Sequence, residues 1–235
     1  MKILMIIPAY NEEENILNTV NDIKNYKKID LDYVVINDGS CDNTRKILVD
    51  NDINFIDLSN NLGIGAAVQT GYKYAYYNDY DIAIQFDGDG QHDINYVDKL
   101  VETISKDKCD MVIGSRFVGD DSKFKSTRIR RVGIKLLSYL IRLFTGKSIK
   151  DMTSGYRAVN KKIIEKFALD YVFEYPEPIT NLQVVKDGCN VKEISVSMKE
   201  RKFGKSFVNP YTSIYYMINV MFYMFMIGIN IRRDK

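Results

Sequence analysis

Residues 82–93, with the sequence IAIQFDGDGQHD, join an apolar run to two carboxylates separated by one glycine. Asp87 and Asp89 stand at alternate positions, and alternate residues of an extended chain point the same way. Together with Gln91 they offer three oxygen-bearing side chains to one hard cation, which prefers oxygen ligands. A divalent cation held there would neutralise a diphosphate and stabilise a phosphate leaving group. Asp-Gly pairs are also ordinary turn residues, so this segment alone leaves a plain turn equally open.

Short apolar runs alternate with helical patterns through the first half of the chain. The apolar runs are residues 2–7, 31–36, 53–58, 81–86 and 109–115, and the helical patterns between them are 12–26, 42–49, 65–77 and 95–104. This alternation predicts an α/β fold with a doubly wound, mostly parallel sheet and helices on both faces. In such sheets the ligand crevice lies outside the carboxyl ends of the strands, where all of the polar motifs fall.

Polar motifs also follow the first three apolar runs. PAYNE follows the first run, where Asn11 can cap a helix and the glutamates at 12–14 can interact with its positive first turn, or the loop can contact a ligand. NDGS follows the second run and places Asp38 to accept hydrogen bonds from a ribose or base, or to form a turn. NLGIGAA follows the third run, and its glycines, Gly65 included, allow close approach of the backbone to a ligand or to another segment.

PAYNE, NDGS, NLGIGAA and DGDGQH, in this order and at these spacings, resemble the inverting glycosyltransferases of family 2 with their nucleotide-sugar-binding GT-A fold. The resemblance covers residues 1–116. The DxDxQH continuation is most similar to the polyprenyl-phosphate glycosyltransferases of the dolichyl-phosphate mannose synthase-like branch. It implies a UDP- or GDP-linked sugar as donor and a polyprenyl-phosphate acceptor in cell-envelope glycan synthesis.

The resemblance also implies roles for single residues. Asp87 and Asp89 match the DXD motif that holds the diphosphate with Mg²⁺ or Mn²⁺; Gln91 would be a third metal ligand, and Asp89 is also a catalytic candidate. The candidate donor-binding residues are Pro8, Tyr10, Glu12, Asp38, Gly65, Asp87, Gly88, Arg201 and Lys205. The last two belong to a segment, 200–206, that resembles a mobile phosphate-binding loop, with a solvated turn as the alternative.

The second half of the chain supplies candidates for the acceptor side. The resemblance places Arg116, Ser154 and Arg157 near the acceptor phosphate, which suits the planar fork of arginine, although isolated arginines are more often surface charges. A polyprenyl phosphate is already anionic, so positioning by the two arginines would suffice. A sugar hydroxyl would instead need a carboxylate as base, and Glu174 and Glu177 are the candidates. For His92 we expect a structural or nucleotide-side role.

Two stretches indicate contact with a membrane surface. Residues 122–150 contain no acidic residue and nine Lys or Arg, and a helix over 128–144 would separate basic from apolar faces. We expect an interfacial helix there, with a surface helix packed on the core as the alternative. Residues 206–231 carry no charge and are rich in Met, Phe, Tyr and Ile. We expect an in-plane helix there, with a bilayer span and an oligomer interface as alternatives. The predicted organisation is a catalytic domain, 1–206, with a donor half, 1–116, an acceptor half, 117–206, and a membrane-associated extension, 207–235.

Composition bears on the partners and on the cellular location of the protein. With 33 Lys and Arg against 31 Asp and Glu the net charge is +2, so the overall charge by itself indicates no class of partner. We expect no nucleic-acid partner. The three cysteines have neither metal nor redox spacing, which suits a reducing compartment, and the N-terminus reads as a strand and not as a signal peptide. We therefore expect a location at the cytoplasmic face of the cell membrane, with a second copy of the chain or a small membrane protein left open as partner.

Two other function classes stay open. A sugar nucleotidyltransferase is also doubly wound, but usually carries a basic, glycine-rich loop after its first strand, where this chain has the acidic, glycine-free PAYNEEEN. A non-catalytic subunit that binds a nucleotide sugar would keep the donor site without turnover. Release of nucleoside diphosphate upon addition of acceptor would distinguish the enzyme from such a subunit.

Overall fold

The computed structural model describes residues 1–119, 128–199 and 210–229. The strands are β1 (Ile3–Ala9), β2 (Asp32–Asn37), β3 (Phe55–Asp57), β4 (Ile82–Gln85), β5 (Met111–Ser115), β6 (Arg157–Asn160) and β7 (Val191–Ser195). The helices are α1 (Ile16–Asn25), α2 (Thr44–Asp50), α3 (Ile64–Tyr77), α4 (Val97–Asp107), α5 (Arg128–Thr145), α6 (Lys161–Leu169), α7 (Pro176–Lys186) and α8 (Pro210–Ile229).

The strands form one seven-stranded sheet in the order β3-β2-β1-β4-β6-β5-β7. Strand β6 runs antiparallel to both of its neighbours, β4 and β5, and the other pairs are parallel. This arrangement confirms the predicted α/β fold with a mostly parallel sheet, and each of the five predicted strands is present. The antiparallel insertion of β6 and the edge strand β7 were not predicted.

Helices cover both faces of the sheet because alternate residues of each central strand point to opposite sides. On β1, Leu4 and Ile6 join a core with α3, α6 and α7, which also includes buried residues of α5 and α8. Ile3, Met5 and Ile7 join the opposite core with α1, α2 and α4. Burial on both faces explains why these strands read as continuous apolar runs.

The predicted start of the first helix is wrong. Helix α1 begins at Ile16, its first turn contains no acidic residue, and its N-cap is Asn15, whose side chain makes no capping hydrogen bond. Asn11 instead adopts a left-handed φ of 53°, and its side-chain Oδ1 accepts the Cys41 N–H at 2.8 Å. Its own N–H donates to Ser40 Oγ at 3.0 Å. Asn11 therefore joins the loop after β1 to the loop after β2.

Helices α5 and α8 pack against each other on one side of the molecule. The helix predicted over 128–144 is confirmed as α5, and α8 lies within the charge-free segment. The rings of Phe144 and Phe225 meet at 5.9 Å, and a Cβ on Gly228 would overlap the Phe144 ring, so this crossing requires a glycine. Among the described residues, none of the helices has the length and apolar content needed to cross a membrane. The division into catalytic domain and extension stays a prediction.

Candidate active site

A cleft of about 480 Å³ opens at the carboxyl ends of β1, β2 and β4. These strands are parallel neighbours, so the loops that follow them meet at one edge of the sheet. The lining residues are Pro8, Ala9, Tyr10, Glu12, Asp38, Asn61, Gly63, Ile64, Ala67, Asp87, Gly88 and Asp89. The fold thus brings the residues proposed from three separate motifs into a single cavity.

Gly65 and Gln91 are not among the residues that line this cleft. A Cβ on Gly65 would overlap the backbone of Phe173, so this glycine permits close packing of α3 against the segment before α7. The cleft wall next to it is formed by Gly63, Ile64 and Ala67. All three stand in the NLGIGAA motif, and Gly63, with its φ of +89°, is one of the glycines expected to allow close approach, whereas Ile64 and Ala67 were not predicted as site residues.

Asp38 organises the loop that closes one side of the cleft. Its buried carboxylate accepts the N–H of Leu62 at 2.8 Å on Oδ1 and the N–H of Gly63 at 2.9 Å on Oδ2. The chain approaches so closely here that a Cβ on Gly39 would overlap the backbone of Asn60. A carboxylate has about four acceptor positions, so contact with a ribose or base is compatible with this geometry and stays a prediction.

Glu12 is buried in the opposite wall of the cleft. Its N–H donates to Thr44 Oγ1 and its carboxylate Oε2 accepts from Asn15 Nδ2, each at 2.8 Å. Its carbonyl accepts the N–H of Ile16 at 2.9 Å. The residue is thus held by the start of α2 as well as by that of α1, so its carboxylate has a defined place beside the cavity.

Asp87 and Asp89 both reach the cleft from the loop after β4. Asp89 Oδ1 accepts the N–H of Gln91 at 3.0 Å, and Gln85 Nε2 lies 3.4 Å from Asp87 Oδ1. Two carboxylates in a cavity large enough for a diphosphate match the donor set of Mg²⁺ or Mn²⁺, which take one or two carboxylates together with substrate phosphates. Within the described ranges, no group of three or more His, Cys, Asp or Glu is arranged to hold a metal ion.

His92 lies behind this carboxylate pair, almost entirely buried. Its Nδ1 accepts the N–H of Asp87 at 3.0 Å, and its Nε2 lies 3.5 Å from Asp87 Oδ2. Its ring stacks on Tyr156 at 4.6 Å with 12° between the planes. Burial lowers the pKa of His92 to about 4, with Arg116 adding to the effect and Asp89 opposing it. The ring is therefore neutral near pH 7.

Residues 5–168, which are more than half of the chain, match the family described as glycosyl transferase family 2. The chain belongs to this family. A protein of Methanococcus voltae, described as a UDP-N-acetylglucosamine–dolichyl-phosphate N-acetylglucosaminyltransferase, is 35% identical over 214 residues, covering 83% of this chain and 84% of the relative. A polyprenol monophosphomannose synthase of Mycolicibacterium smegmatis is 28% identical over 215 residues, covering 86% and 79%.

Solved structures give the same picture of the fold. Glucosyl-3-phosphoglycerate synthase from Mycobacterium tuberculosis, in complex with phosphoglyceric acid, superposes with a TM-score of 0.71 at 18% identity. The superposition covers 99% of this chain and 81% of that one. The glycosyltransferase described here therefore shares that architecture, which confirms the predicted type of fold.

Arg116 of this glycosyltransferase is held in a buried ion pair. Its Nε and Nη2 donate to the two carboxylate oxygens of Asp151 at 2.8 and 2.7 Å, and Nη2 also donates to Thr153 Oγ1 at 2.8 Å. Asp151 is wholly buried and Arg116 is 5% exposed. The bidentate pair connects the end of β5 to the segment before β6. A contact of Arg116 with an acceptor phosphate stays a prediction.

Arg157 is enclosed in the interior, with no exposed surface. Because β6 is antiparallel, its first residue pairs with Gln85, the last residue of β4, beneath the floor of the cleft. Its Nη2 donates to Gln85 Oε1 at 3.0 Å and to the Tyr171 hydroxyl at 2.8 Å, and its Nη1 donates to Thr180 Oγ1 at 2.7 Å. The fold thus places Arg157 away from the direct acceptor-phosphate contact expected for it, and also away from the surface.

Ser154 and Gly155 pack the segment before β6 against β5 and against the loop after β4. Ser154 Oγ donates to the Gly114 carbonyl at 2.6 Å, so this hydroxyl, expected near the acceptor phosphate, braces β5. A Cβ on Gly155 would stand 2.8 Å from Gln85 Nε2 and 3.1 Å from Asp87 Oδ2. Only a residue without a side chain fits there undisturbed.

The two carboxylates proposed as bases lie in different surroundings. Glu177 Oε1 is 3.5 Å from Gln85 Nε2, and burial raises the pKa of Glu177, although the charge of Arg157 opposes that shift. Glu174 is exposed and its Oε2 accepts a hydrogen bond from the Tyr223 hydroxyl of α8 at 3.0 Å. Glu177 therefore belongs to the polar network beneath Asp87, whereas Glu174 faces α8. Arg201 and Lys205 lie outside the described residues.

Proposed function

We propose that this glycosyltransferase transfers a sugar from a UDP- or GDP-linked donor to a polyprenyl-phosphate lipid in cell-envelope glycan synthesis. The observation that carries the proposal is the single cleft in which Asp87, Asp89, Asp38 and the loop after β1 meet. Its size and carboxylate lining suit a nucleoside diphosphate with its cation. The acceptor class is supported by relatives whose descriptions include dolichyl phosphate and undecaprenyl phosphate.

We assign Asp87, Asp89 and Gln91 to a Mg²⁺ or Mn²⁺ ion at the donor diphosphate. Such an ion, when bound, neutralises the diphosphate and stabilises the departing nucleoside diphosphate. The two carboxylates in the cleft support the assignment, and a structure of the Mycobacterium tuberculosis synthase contains Mn²⁺ and uridine diphosphate. Pro8, Tyr10, Glu12, Asp38 and Gly88 are then assigned to the donor.

The proposed reaction inverts the anomeric carbon. An acceptor oxygen forms its bond to that carbon from the face opposite the diphosphate, while the bond to the diphosphate oxygen breaks and its electron pair leaves with the nucleoside diphosphate. The phosphate acceptor is already anionic, so no proton has to be removed, and positioning of its oxygen takes the place of a general base. Arg116 is our candidate for orienting that acceptor, through the side of its guanidinium group that donates to Thr153 Oγ1.

A second acceptor class is favoured by one observation. Glu177 is a carboxylate with a raised pKa beside the Asp87 network, which is a property of general bases that work near neutral pH. If the acceptor is a sugar hydroxyl, Glu177 would take its proton. This alternative and the lipid-phosphate reaction differ in whether the product partitions into an organic phase.

We also propose that α5 and α8 attach the enzyme to a membrane surface, lying in its plane at the cytoplasmic face. Exposed large apolar side chains form a stripe on each helix at helical spacing. On α5 they are Leu136, Tyr139 and Leu143, and on α8 they are Tyr215, Ile218, Phe222, Phe225 and Ile229. The exposed Lys135 and Arg142 of α5 suit anionic headgroups. Such a surface would bring the cleft to an acceptor that resides in the bilayer.

The decisive experiment offers radiolabelled UDP- and GDP-sugars with undecaprenyl phosphate and Mn²⁺. We expect label in the organic phase, and we expect Asp89→Ala to reduce the rate by roughly 100-fold or more, with the exposed Asp50→Asn as an unaffected control. Active enzyme with label only in the aqueous phase would favour the sugar-hydroxyl acceptor. Full activity of Asp89→Ala would refute the metal assignment, and donor binding without release of nucleoside diphosphate would indicate a non-catalytic subunit.

A further inference from the structure

We propose that His92 is a positioning residue for Asp87, holding its backbone N–H so that the carboxylate is kept at the cleft. The inference rests on the proposed metal-binding role of Asp87. His92 makes two approaches to that one residue, a hydrogen bond from the Asp87 N–H to Nδ1 at 3.0 Å and a separation of 3.5 Å between Nε2 and Oδ2.

The backbone contact replaces a missing strand partner. Beyond β4, the N–H groups of Phe86 and Gly88 still donate to the carbonyls of Ile6 and Pro8, at 2.9 and 3.2 Å. The N–H of Asp87 therefore points to the other side, toward β6. Strand β6 begins opposite Gln85, so in the described sheet no strand residue stands opposite Asp87. The imidazole Nδ1 supplies the acceptor that the sheet lacks there.

Since Nδ1 accepts a hydrogen bond, the proton of the neutral ring is on Nε2. The ring also lies near the Asp87 side chain, with 3.5 Å between Nε2 and Oδ2. The ring is held between Tyr156, stacked at 4.6 Å, and Phe86, at 5.4 Å in an edge arrangement. The Tyr156 hydroxyl in turn donates to the Asp93 carbonyl at 3.0 Å, next to His92 in the chain. The imidazole thus has a fixed orientation in which Nδ1 meets the N–H of Asp87.

The competing explanation is that His92 only fills space between Tyr156 and Phe86. Two substitutions separate these explanations, because one keeps the aromatic ring and the other keeps the hydrogen-bond acceptor. His92→Phe keeps an aromatic ring for packing but offers nothing to the Asp87 N–H. His92→Asn leaves a small cavity but carries an oxygen at the position of Nδ1, which can accept the same hydrogen bond.

The experiment measures Mn²⁺ binding to the full chain by electron paramagnetic resonance, with UDP or GDP present, and thermal unfolding of each variant. We expect His92→Phe to weaken Mn²⁺ binding by roughly 10- to 100-fold, the range seen when a residue behind a metal ligand is removed. His92→Asn is expected to bind Mn²⁺ more tightly than His92→Phe while melting at a lower temperature. Asp50→Asn, an exposed position on α2, is the control and should bind Mn²⁺ like the unaltered enzyme.

Wild-type affinity in His92→Phe, or weaker binding by His92→Asn than by His92→Phe, would overturn the proposal in favour of packing alone. If His92→Phe does not fold, His92→Gln replaces it, since glutamine carries the carbon Cδ, which is not an acceptor, at the position of Nδ1, and the same weakening is expected. Failure of the unaltered chain to bind Mn²⁺ in the cleft would instead contradict the metal site itself. The two failures are therefore distinguishable.

Discussion

At the scale of single residues, the candidate site depends on what surrounds each polar group as much as on the group itself. Asp87 is flanked by Gln85 Nε2, by His92 and by the backbone of Gly155. Arg157 donates to Gln85 Oε1, so the other atom of that amide, Nε2, faces Asp87. The position of the carboxylate is therefore set by residues from β4, from its following loop and from the start of β6.

Replacing Gly155 by alanine tests this arrangement. The φ of Gly155 is outside the left-handed range, so alanine should change only the space available, and its Cβ would stand 3.1 Å from Asp87 Oδ2 and 2.8 Å from Gln85 Nε2. We expect a loss of stability of about 1–3 kcal/mol from overpacking and weaker binding of Mn²⁺ with UDP or GDP. Calorimetric titration and chemical denaturation measure the two effects, and unchanged nucleotide binding would contradict the close contact with Asp87.

At the scale of elements, hydrogen bonds to a carboxylate hold β6 and β7, the two strands that were not predicted, against β5. Asp110, just before β5, accepts hydrogen bonds from the N–H of Asn190 at 2.8 Å and from Asn160 Nδ2 at 3.0 Å. These contacts join the end of β6 and the beginning of β7 to β5. Burial by itself would raise the pKa of Asp110, but these hydrogen bonds and the charge of Lys162 outweigh it and lower that pKa below its usual 3.8.

Asp110→Asn should therefore lower the free energy of unfolding at pH 7 by about 1–3 kcal/mol, the cost of losing hydrogen bonds to a charged group. A carboxyl whose pKa is lowered by folding stabilises the native state above its unfolded pKa, and this contribution is lost as the pH falls below 3.8 and through the folded pKa. The difference between the variant and the unaltered chain should shrink over that window. Urea denaturation at pH 7 and near pH 3 measures it, and an equal difference at both values would contradict the assignment.

The helix pair α5–α8 is the second feature that belongs to this scale. Helix α8 buries Val220 and Met224 against the core and leaves Phe222, which is 63% exposed, on its outer face. It also contacts the segment before α7, where the ring of Tyr175 lies 4.9 Å from that of Tyr216. One face of α8 is thus part of the folded core while the opposite face stays apolar and exposed, as in helices that lie in a membrane interface.

Phe222→Glu is expected to reduce binding to vesicles of phosphatidylglycerol and phosphatidylcholine by roughly 10-fold or more, because it puts a charge into the apolar stripe. The matched control is Val49→Glu on α2, an exposed apolar residue on the other side of the sheet, which should bind like the unaltered enzyme. Co-sedimentation measures both. Equal loss in the two variants, or none in Phe222→Glu, would count against a membrane-facing role for α8.

At the scale of the whole molecule, the cleft results from how the strands end at one edge of the sheet. It exists because parallel β1, β2 and β4 end together, and it is supported from below because β6 enters the sheet in the opposite direction. Segments far apart in the chain, the strand-end loops of the first half and the 151–157 segment, therefore form one unit around Asp87. A ligand in the cleft should stabilise the entire fold, since only the folded chain contains it.

We expect UDP or GDP with Mn²⁺ to raise the melting temperature of the full chain, with a stabilisation of about 2.7 kcal/mol when the ligand is at 100 times its Kd. Asp89→Ala should lose the part of the shift that depends on Mn²⁺. A thermal-shift series over nucleotides, with and without the metal, measures both effects and identifies the preferred base. The absence of any nucleotide-dependent shift would contradict the proposed donor site.

The sequence by itself determined the five strands β1 to β5, the amphipathic α5 and the family, because strands buried on both faces read as apolar runs and the polar motifs stand directly at their ends. Only the tertiary structure decided the start of α1, the place of β6, the enclosure of Arg157 and the pairing of Arg116 with Asp151. Each of these depends on contacts between residues distant in the chain. A four-residue strand such as RAVN has no period long enough to detect, and an arginine looks the same in sequence whether it meets a phosphate or a buried amide.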